Sequence, residues 1–220
     1  MNPAASVAVQ RAGRPRREAL AARQDALLQT ALALFVAHGY AGVSLQMVAR
    51  AAQVAIRTIY VKFGGKPGLL DAVIAAEGRR HRGELDALAL EALDARARLD
   101  RLARHMAGRC ARPDLLRLHA IAAAETDPRA AQALHAAGAG QAMAVLRAVL
   151  SQAEGEGCLR RELALDQQCA YFFSCVCGSR ATLWAPDSMP GLPVEQGLSL
   201  FLRAVMHDEP ITGAVLAWDN

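Results

Sequence analysis

The sequence predicts an all-α fold, and three observations support that prediction. Alanine and leucine dominate the composition, while aromatic residues make up only 5% of the chain. Apolar residues recur at helical spacing, whereas the alternating runs of Val, Ile and Thr that are typical of strands are scarce. Hydrophobic residues make up 53% of the 220 residues, which is enough to fill a substantial core. We therefore expect a folded, helical protein of one or two domains.

Two short helices with a tight joint are predicted in the first third of the chain. Leu45, Val48 and Ala49 fall on one helical face, and a second apolar set follows the joint. Ser44 can cap the first helix through its hydroxyl, and the small residues of the joint allow the helices to cross closely. This is the geometry of a helix-turn-helix, whose second helix enters the DNA major groove while the first lies across the backbone.

Eleven residues in and around the two predicted helices stand at fixed offsets from one another. They are Ser44, Leu45, Val48, Ala49, Ala52, Val54, Thr58, Ile59, Tyr60, Phe63 and Lys66. At these offsets the sequence resembles the DNA-binding domain of TetR-type transcriptional regulators, over roughly residues 22–75. The segment 26–40 resembles that family's first helix. Gln53 stands where the family has a turn glycine, Ala55 where it has a capping serine, and Gly64–Gly65 where it has polar residues. A left-handed backbone at Gln53 would carry an energetic cost.

The resemblance implies an N-terminal three-helix domain containing the helix-turn-helix at about residues 44–63, followed by a C-terminal helical domain that binds a ligand and dimerises. The expected segments are a flexible basic arm over 1–18, the DNA-binding domain over 19–66, a linking helix over 67–83, the effector-binding and dimerisation domain over 84–210, and a tail over 211–220.

Candidate DNA contacts follow from the chemistry of the helix-turn-helix and the arm. The planar fork of Arg57 can bond guanine O6 and N7, and Lys62 and Lys66 are point charges suited to phosphate. The other candidates are Ser44, Ala55, Ile56, Thr58 and Tyr60 in the motif, with Arg14 and Arg16 in the arm. The alternative for each is a solvent-exposed residue without a role.

The charge distribution is uneven along the chain. Residues 1–66 carry nine Lys or Arg against two acids, a net charge of +7, so the remaining residues carry −3. A basic first third fits a polyanionic partner, because each cation that neutralises a phosphate releases condensed counterions.

Helical segments follow at about residues 84–110, 114–125, 128–154, 166–184 and 194–207. Before them, Leu69, Leu70, Val73 and Ile74 are spaced for one apolar face, and the run Arg79–Arg82 is interpreted as a solvated face.

The last two helices have almost no polar face, as in the run CAYFFSCVC from Cys169 to Cys177. In TetR-type proteins such helices pair with those of a second subunit as a four-helix bundle, so the resemblance implies a homodimer. Two reading heads about one turn of DNA apart, near 34 Å, would then read a palindrome. The alternative is a monomer that buries these helices in its own core.

A small-molecule cavity is expected between the helices of the second domain, where bundles place ligands. Bulky residues, or residues with one polar tip on an apolar helix, are the candidate lining, although core packing explains them equally well. They are His105, Met106, Cys110, His119, Met143, Phe172, Phe173 and Trp184. The shortage of charged residues among them suggests an apolar or aromatic effector.

The five cysteines do not suggest a metal site, because there is no Cys-x-x-Cys pair and no histidine at zinc spacing. They are interpreted as buried apolar residues, except that Cys158, near Arg160 and Arg161, is a candidate oxidant sensor. No apolar run of about 18 residues and no signal-peptide pattern is visible, so we expect a cytoplasmic protein without a cofactor.

Taken together, these features predict a sequence-specific DNA-binding regulator, a ligand-responsive repressor of a palindromic operator. Two alternatives stay open. One is a helical enzyme, although no catalytic constellation is visible in the sequence. The other is an architectural DNA-binding protein that ignores small molecules.

Overall fold

The regular structure of the chain is helical, as the composition predicts. A computed structural model describes residues 14–124, 128–160, 162–178 and 193–207. Within these ranges every regular element is a helix or a helical turn, and one isolated antiparallel bridge joins Leu159 to Met206. The chain divides between residues 76 and 77 into two compact units.

The first unit is built from three helices and the start of a fourth. Gly39, with φ of 71°, interrupts the first of them three residues before its end. The aromatic ring of Tyr40 follows at once and stacks on Phe35, with ring centroids 5.8 Å apart. The helices are α1 (Arg14–Gly42), α2 (Leu45–Ala51), α3 (Ile56–Phe63) and α4 (Lys66–Asp86), the last of which continues into the second unit.

Apolar side chains from all four helices form the core of the first unit. Phe35 of α1, Val48 of α2 and Ile59 of α3 are fully buried. The predicted apolar face of α4 is confirmed, because its four residues are at most 2% exposed. These are Leu69, Leu70, Val73 and Ile74.

The N-terminal segment differs from the flexible arm that we predicted over residues 1–18. Its described part is helical, because α1 already begins at Arg14. The physical reason is the run from Arg16 to Ala22, which consists of strong helix formers, and a proline near the helix start that needs no hydrogen-bond donor. Residues 1–13 lie outside the described part of the chain.

The second unit contains the end of α4 and six further α-helices. A 3-10 turn at Leu90–Ala92 precedes them, and a π-helical turn at Ala136–Gly140 joins the third to the fourth. The helices are α5 (Ala95–Cys110), α6 (Pro113–Ala124), α7 (Pro128–His135), α8 (Gln141–Gly155), α9 (Leu165–Cys177) and α10 (Val194–Val205).

The segment predicted as one helix over residues 84–110 is broken in two. After α4 ends, Ala89 takes a left-handed backbone conformation with φ of 47°. The side chain of Asp94 then accepts a hydrogen bond from the amide of Ala97 at 2.7 Å and starts α5. An aspartate cap can begin a new helix wherever the chain has just turned, so the break follows from that cap.

The core of the second unit is centred on α9 and α10. Phe172 and Phe201 are fully buried, and their rings meet edge to face with centroids 5.0 Å apart. Leu99 of α5 and Leu146 of α8 pack in the same cluster. Aromatic pairs in this arrangement add to the free energy that area burial provides, so the four helices share one apolar core.

The helical run Pro128–Gly155, which spans α7, the π turn and α8, is the one described run that is long and apolar enough to cross a membrane by length and composition. Leu146, Val149 and Leu150 on this run are buried in the core of the second unit. Core helices of globular proteins also have this composition, and the burial supports that interpretation.

The turn between α2 and α3 contains one residue with a left-handed backbone conformation, and this residue is not a glycine. Gln53 has φ of 53°, and the amide of Val54 donates to the carbonyl of Ala49 at 2.9 Å. A residue with a Cβ atom in this region costs about 1–2 kcal/mol. The turn therefore forms at an energetic cost that glycine would avoid.

Helices α9 and α10 approach each other so closely that a side chain at Gly197 has no room. An ideal Cβ atom built there lies 1.9 Å from the carbonyl oxygen of Cys175. This oxygen belongs to the backbone, so the contact cannot be relieved by a side-chain rotation. The glycine therefore sets the distance between the two helices.

We expect Gly197→Ala to lower the free energy of unfolding by about 2 kcal/mol, because the two helices must separate and open the core. The matched control is Gly108→Ala on α5, where an added Cβ meets nothing within 4 Å. The control should gain about 0.5–1 kcal/mol from helix propensity. Urea denaturation followed by circular dichroism measures both, and equal effects of the two substitutions would contradict the close contact.

We expect Gln53→Gly to raise the free energy of unfolding by about 0.5–1 kcal/mol, because glycine adopts positive φ without the Cβ penalty. Gln46→Gly, at an exposed position within α2, should instead lower it by about 1 kcal/mol. Hydrogen exchange of the α2 and α3 amides in the full chain reports on this unit directly. Slower exchange in the first variant and faster exchange in the second is the expected pair of results.

Candidate nucleic-acid interface and an internal cavity

Helices α2 and α3 form the predicted helix-turn-helix. The hydroxyl of Ser44 caps α2 by accepting a hydrogen bond from the amide of Met47 at 3.2 Å. Helix α3 starts after Ala55, which provides no side-chain cap. Gly64 ends α3 in a left-handed conformation, with its amide bonded to the carbonyl of Tyr60. The motif is therefore held by backbone turns at both ends of α3.

Helix α3 is anchored on one side and open on the other. Ile59 is fully buried, and Ile56 and Thr58 are half-buried beside it. The opposite side carries the exposed residues, which include three predicted contacts and the missed Val61, 75% exposed. They are Arg57, Tyr60, Val61 and Lys62. An apolar residue this exposed on a short helix is a surface feature that periodicity alone would have revealed.

Each of the two lysines that are predicted to contact DNA lies close to a side chain of α1. The ammonium of Lys62 is 3.4 Å from the side-chain oxygen of Gln24 on α1. The ammonium of Lys66, at the start of α4, lies 4.4 Å from the ring centroid of Tyr40. A cation over an aromatic face keeps its charge and can still meet a phosphate.

Three arginines of the first unit are also relevant to the predicted DNA contacts. Arg14 and Arg16 are on the first turn of α1, but their side chains lie outside the described part of the chain. Arg50, near the end of α2, is exposed and was not among our candidates. Its signal in the sequence is the positive charge that it adds to the helix-turn-helix.

The second unit contains a cavity of about 160 Å³ bounded by α4, α5, α6, α7, the π turn, α8 and α9. Most of the wall is apolar, and two charged side chains, together with two histidines, lie in it. The lining residues are Glu77, Gly78, His81, Met106, Arg109, Cys110, Leu115, Leu116, His119, Leu134, Ala137, Gly138, Ala139, Ala142 and Phe173.

Four of the eight predicted lining residues are in the wall, namely Met106, Cys110, His119 and Phe173. The other predictions lie elsewhere. Phe172 belongs to the core, and Met143 packs against that core. The ring of His105 lies behind the wall, stacked on His81 with centroids 5.4 Å apart. Trp184 lies outside the described residues.

His81 corrects our interpretation of the run Arg79–Arg82 as a solvated face. His81 is 2% exposed, whereas Arg79 and Arg82 are exposed. Helical spacing explains the difference, because His81 lies one turn after Glu77 and two turns after Ile74, both of which are buried. Because arginines surround His81 in the sequence, its position on the buried face of α4 is hard to recognise from the sequence alone.

The polar end of the cavity contains Glu77 and His81, one turn apart on α4. Glu77 is 3% exposed, and one of its carboxylate oxygens accepts a hydrogen bond from Arg80. Nδ1 of His81 is 3.3 Å from the carbonyl oxygen of Ala137. Burial, followed by the charge of Arg109, lowers the pKa of His81 to about 4, so its ring is neutral near pH 7.

The expected shortage of charge is only partly met in the cavity. Glu77 and Arg109 are both in its wall. Arg109 is paired with Glu84 at 2.6 Å. His119 also lines the cavity, and burial lowers its pKa as well. The cavity is therefore apolar with one polar end.

Two cysteine thiols meet beside the cavity. Sγ of Cys110 lies 3.1 Å from Sγ of Cys177 on α9. This hydrogen bond, followed by burial, raises the pKa of the Cys177 thiol. Cys158 is half-buried, and its Sγ is 3.8 Å from the carbonyl of Glu156. Within the described ranges, no three His, Cys, Asp or Glu residues are grouped so that they could hold a metal ion.

One family model matches the part of the sequence that contains the helix-turn-helix. Residues 27–73 match the family model of the bacterial regulatory proteins of the tetR family. That range covers most of α1, the whole of α2 and α3, and the start of α4. A comparison with curated protein sequences finds no match.

Solved structures extend the likeness to both units. A TetR-family transcriptional regulator of Mesorhizobium loti superposes with a TM-score of 0.71 and 19% identity, covering 85% of this chain and 98% of its own. FadR of Bacillus subtilis, solved with stearoyl-CoA, gives 0.64 and 16%, covering 80% and 96%. A TetR regulator of Agrobacterium tumefaciens gives 0.63 and 21%, covering 84% and 95%.

The TM-scores establish a shared fold, and the family model matches the first domain by its sequence. The helix-turn-helix lies inside the matched range, and a larger helical unit follows it as in the solved regulators. Residues 27–73, which contain the helix-turn-helix, therefore match the DNA-binding domain of the tetR family, and the chain shares the fold of solved TetR-family transcriptional regulators.

Proposed function

We propose that this chain is a cytoplasmic, homodimeric repressor that binds a palindromic operator and responds to a small-molecule effector. The observation that carries the DNA-binding part is the outer side of α3, where Arg57 and Tyr60 are exposed while Ile59 anchors the helix in the core. A helix held in this way can enter the major groove without unfolding any part of its own domain.

Base reading is assigned to the N-terminal half of α3. Arg57 donates to guanine, Thr58 bonds a base edge or a phosphate, and Ala55 and Ile56 meet thymine methyl groups. Phosphate contacts position the motif and come from Ser44, Tyr60, Lys62 and Lys66, with Arg14 and Arg16 following the backbone from the start of α1. Arg50 is added to this second group because it is exposed on α2.

The homodimer is assigned to the outer sides of α9 and α10. Most of their large apolar residues are buried within one subunit, but Leu200 remains 47% exposed. Ala170 and Ser174, one turn apart on α9, are exposed and small. Exposed small residues on α9 and an exposed leucine on α10 would allow two helix pairs to approach closely, which supports a four-helix interface between subunits.

The effector response is assigned to α4 and the cavity. Helix α4 begins in the first unit, and its last turns contribute Glu77, Gly78 and His81 to the cavity wall. A ligand in the cavity therefore touches the same helix that leaves the DNA-binding domain. FadR of Bacillus subtilis has been solved with stearoyl-CoA, which supports small-molecule binding within this fold.

The alternatives are less well supported. An architectural DNA-binding protein has no use for a preformed apolar cavity with a polar end, and the cavity favours the ligand-responsive function. An enzyme would need a nucleophile beside a base, or a metal, facing the cavity. The one thiol in the wall, Cys110, donates a hydrogen bond to the thiol of Cys177, which is not a base that could activate a nucleophile.

We expect Arg57→Ala to weaken binding to the operator and to remove most of its preference over unrelated DNA. A bidentate guanine contact contributes about 1–3 kcal/mol of discrimination, which is about 5- to 150-fold. Fluorescence anisotropy with DNA from upstream of the gene, at several salt concentrations, measures affinity, selectivity and salt dependence together. Arg96→Ala, which removes an exposed arginine from α5, is the control and should leave selectivity unchanged.

Unchanged selectivity in Arg57→Ala would remove the base-reading role from that residue. Failure of the wild-type chain to prefer any upstream fragment would count against the proposed operator recognition itself. A steep loss of affinity with salt in wild type and both variants is expected, because phosphate contacts are retained in all three.

We expect Leu200→Glu to convert the dimer to a monomer, because a charge would be buried at the centre of the interface. Analytical ultracentrifugation reads the mass directly. Leu163→Glu is the matched control, since Leu163 is 38% exposed but lies before α9 begins. A dimer that survives Leu200→Glu, or dissociates equally in both variants, would place the interface elsewhere.

A further inference from the structure

The polar end of the cavity presents hydrogen-bond acceptors that the rest of the described chain leaves without donors. Oε2 of Glu77 and Nε2 of His81 are buried, and no group of the described residues bonds to them. Glu77 and His81 are themselves more than nine-tenths buried, and both line the cavity. Buried polar atoms in proteins are normally paired, so unpaired atoms on two residues that line the same cavity point to a ligand.

Neighbouring groups determine whether each of these atoms donates or accepts a hydrogen bond. Nδ1 of His81 faces the carbonyl of Ala137, so it carries the proton of the neutral ring and Nε2 is left as an acceptor. The second oxygen of Glu77 accepts in the same way. A ligand that satisfies this end must donate.

The charges around the cavity argue against an ionic ligand. Burial, with a smaller contribution from the charge of Arg109, lowers the pKa of His81, His105 and His119, and both effects would also oppose a bound ammonium group. A carboxylate would meet the carboxylate of Glu77 in a poorly solvated place. An uncharged N–H or O–H donor avoids both penalties.

The size of the cavity sets the size of its ligand. About 160 Å³ is close to the roughly 150 Å³ of an apolar cavity that holds one benzene molecule. Met106 and Phe173 offer sulfur and aromatic surface, and Leu115 and Leu134 complete an apolar wall. Thioether and ring contacts of this kind favour an aromatic body.

The π turn explains why this wall exists. Ala137, Gly138 and Ala139 all face the cavity, and they belong to the single turn in which the run Pro128–Gly155 departs from α-helical geometry. Such turns occur often at functional sites. On the other side of the turn, the Cβ atom of Ala137 lies 2.8 Å from the place where a Cβ atom at Gly78 would be, so α4 is held against it.

From these observations we propose that the cavity binds an uncharged molecule of about one aromatic ring whose hydroxyl group donates to Glu77 or His81, that is, a phenol or an alcohol of that size. This inference rests on the proposed effector cavity and names the chemical class of its ligand. The ring lies against the apolar wall, and the hydroxyl lies at the end formed by α4 and the π turn.

The test is isothermal titration calorimetry of the full chain, without DNA, using para-ethylphenol and ethylbenzene, which differ only in the hydroxyl group. We expect para-ethylphenol to bind at least about tenfold more tightly, since a hydrogen bond to a charged or buried acceptor is worth that much. The ionic probes para-toluate and para-methylbenzylamine should bind more weakly than the phenol. Equal affinity for the phenol and the hydrocarbon, or tighter binding of either ion, would overturn the proposal.

Two variants locate the acceptor. Glu77→Met and His81→Phe each remove one acceptor with little change in volume, and the double variant should bind the phenol and the hydrocarbon equally. At least one single variant should lose about tenfold in affinity for the phenol. Retained binding of ethylbenzene shows that the cavity is intact. Glu91→Met, at an exposed position of the 3-10 turn, should leave the preference unchanged. A preference for the phenol that survives the double variant would place the hydroxyl elsewhere and overturn the assignment.

Operator binding is measured separately, by anisotropy with and without para-ethylphenol. A phenol preference without any effect on DNA binding supports the ligand class and contradicts the effector role. An absent phenol preference in a protein that still binds its operator selectively contradicts only the ligand class. The two proposals therefore fail in different measurements.

Discussion

The second unit depends on the close contact of α9 with α10. Gly197 offers no side chain to the carbonyl of Cys175, and this lets Phe172 and Phe201 meet with no exposure to solvent. Helices α5 and α8 pack on the same aromatic pair, and their residues Met106 and Ala142 belong both to that core and to the cavity wall. The shape of the cavity is therefore set by a tightly packed apolar core, which yields little to local strain.

The two units differ in the size of their cores and in the charge that they carry. The first has a small core and presents cations on its surface, in agreement with a charge of +7 over residues 1–66. The second has a large core and encloses a mostly apolar space. Helix α4 serves both, since Leu69 and Ile74 lie in the core of the first unit and His81 faces the cavity of the second. One uninterrupted helix thus carries residues that belong to the core of the first unit and residues that line the cavity of the second.

Local periodicity was sufficient to predict the helix-turn-helix, because Val48, Ile59 and the apolar face of α4 recur at intervals that only a helix brings together. The break at Ala89 could not be predicted in the same way, since alanine and leucine surround it and neither glycine nor proline marks it. The cavity was half predicted. Met106 and Phe173 are apolar and bulky, but Glu77 and His81 are charged or polar residues next to arginines, and their burial depends on helices that arrive much later in the chain.

The π turn at Ala136–Gly140 has a consequence at the level of the gene. A π turn contains one residue more than the α-helical turn that it replaces, while the helices on either side keep their registers. Deletion of a single codon within this turn would restore a continuous α-helix from α7 to α8 and leave the buried face of α8 where it is. The wall formed by Ala137, Gly138 and Ala139 would disappear with it. One inserted residue thus separates the presence of this part of the cavity wall from its absence, a shorter evolutionary step than any repacking of the core.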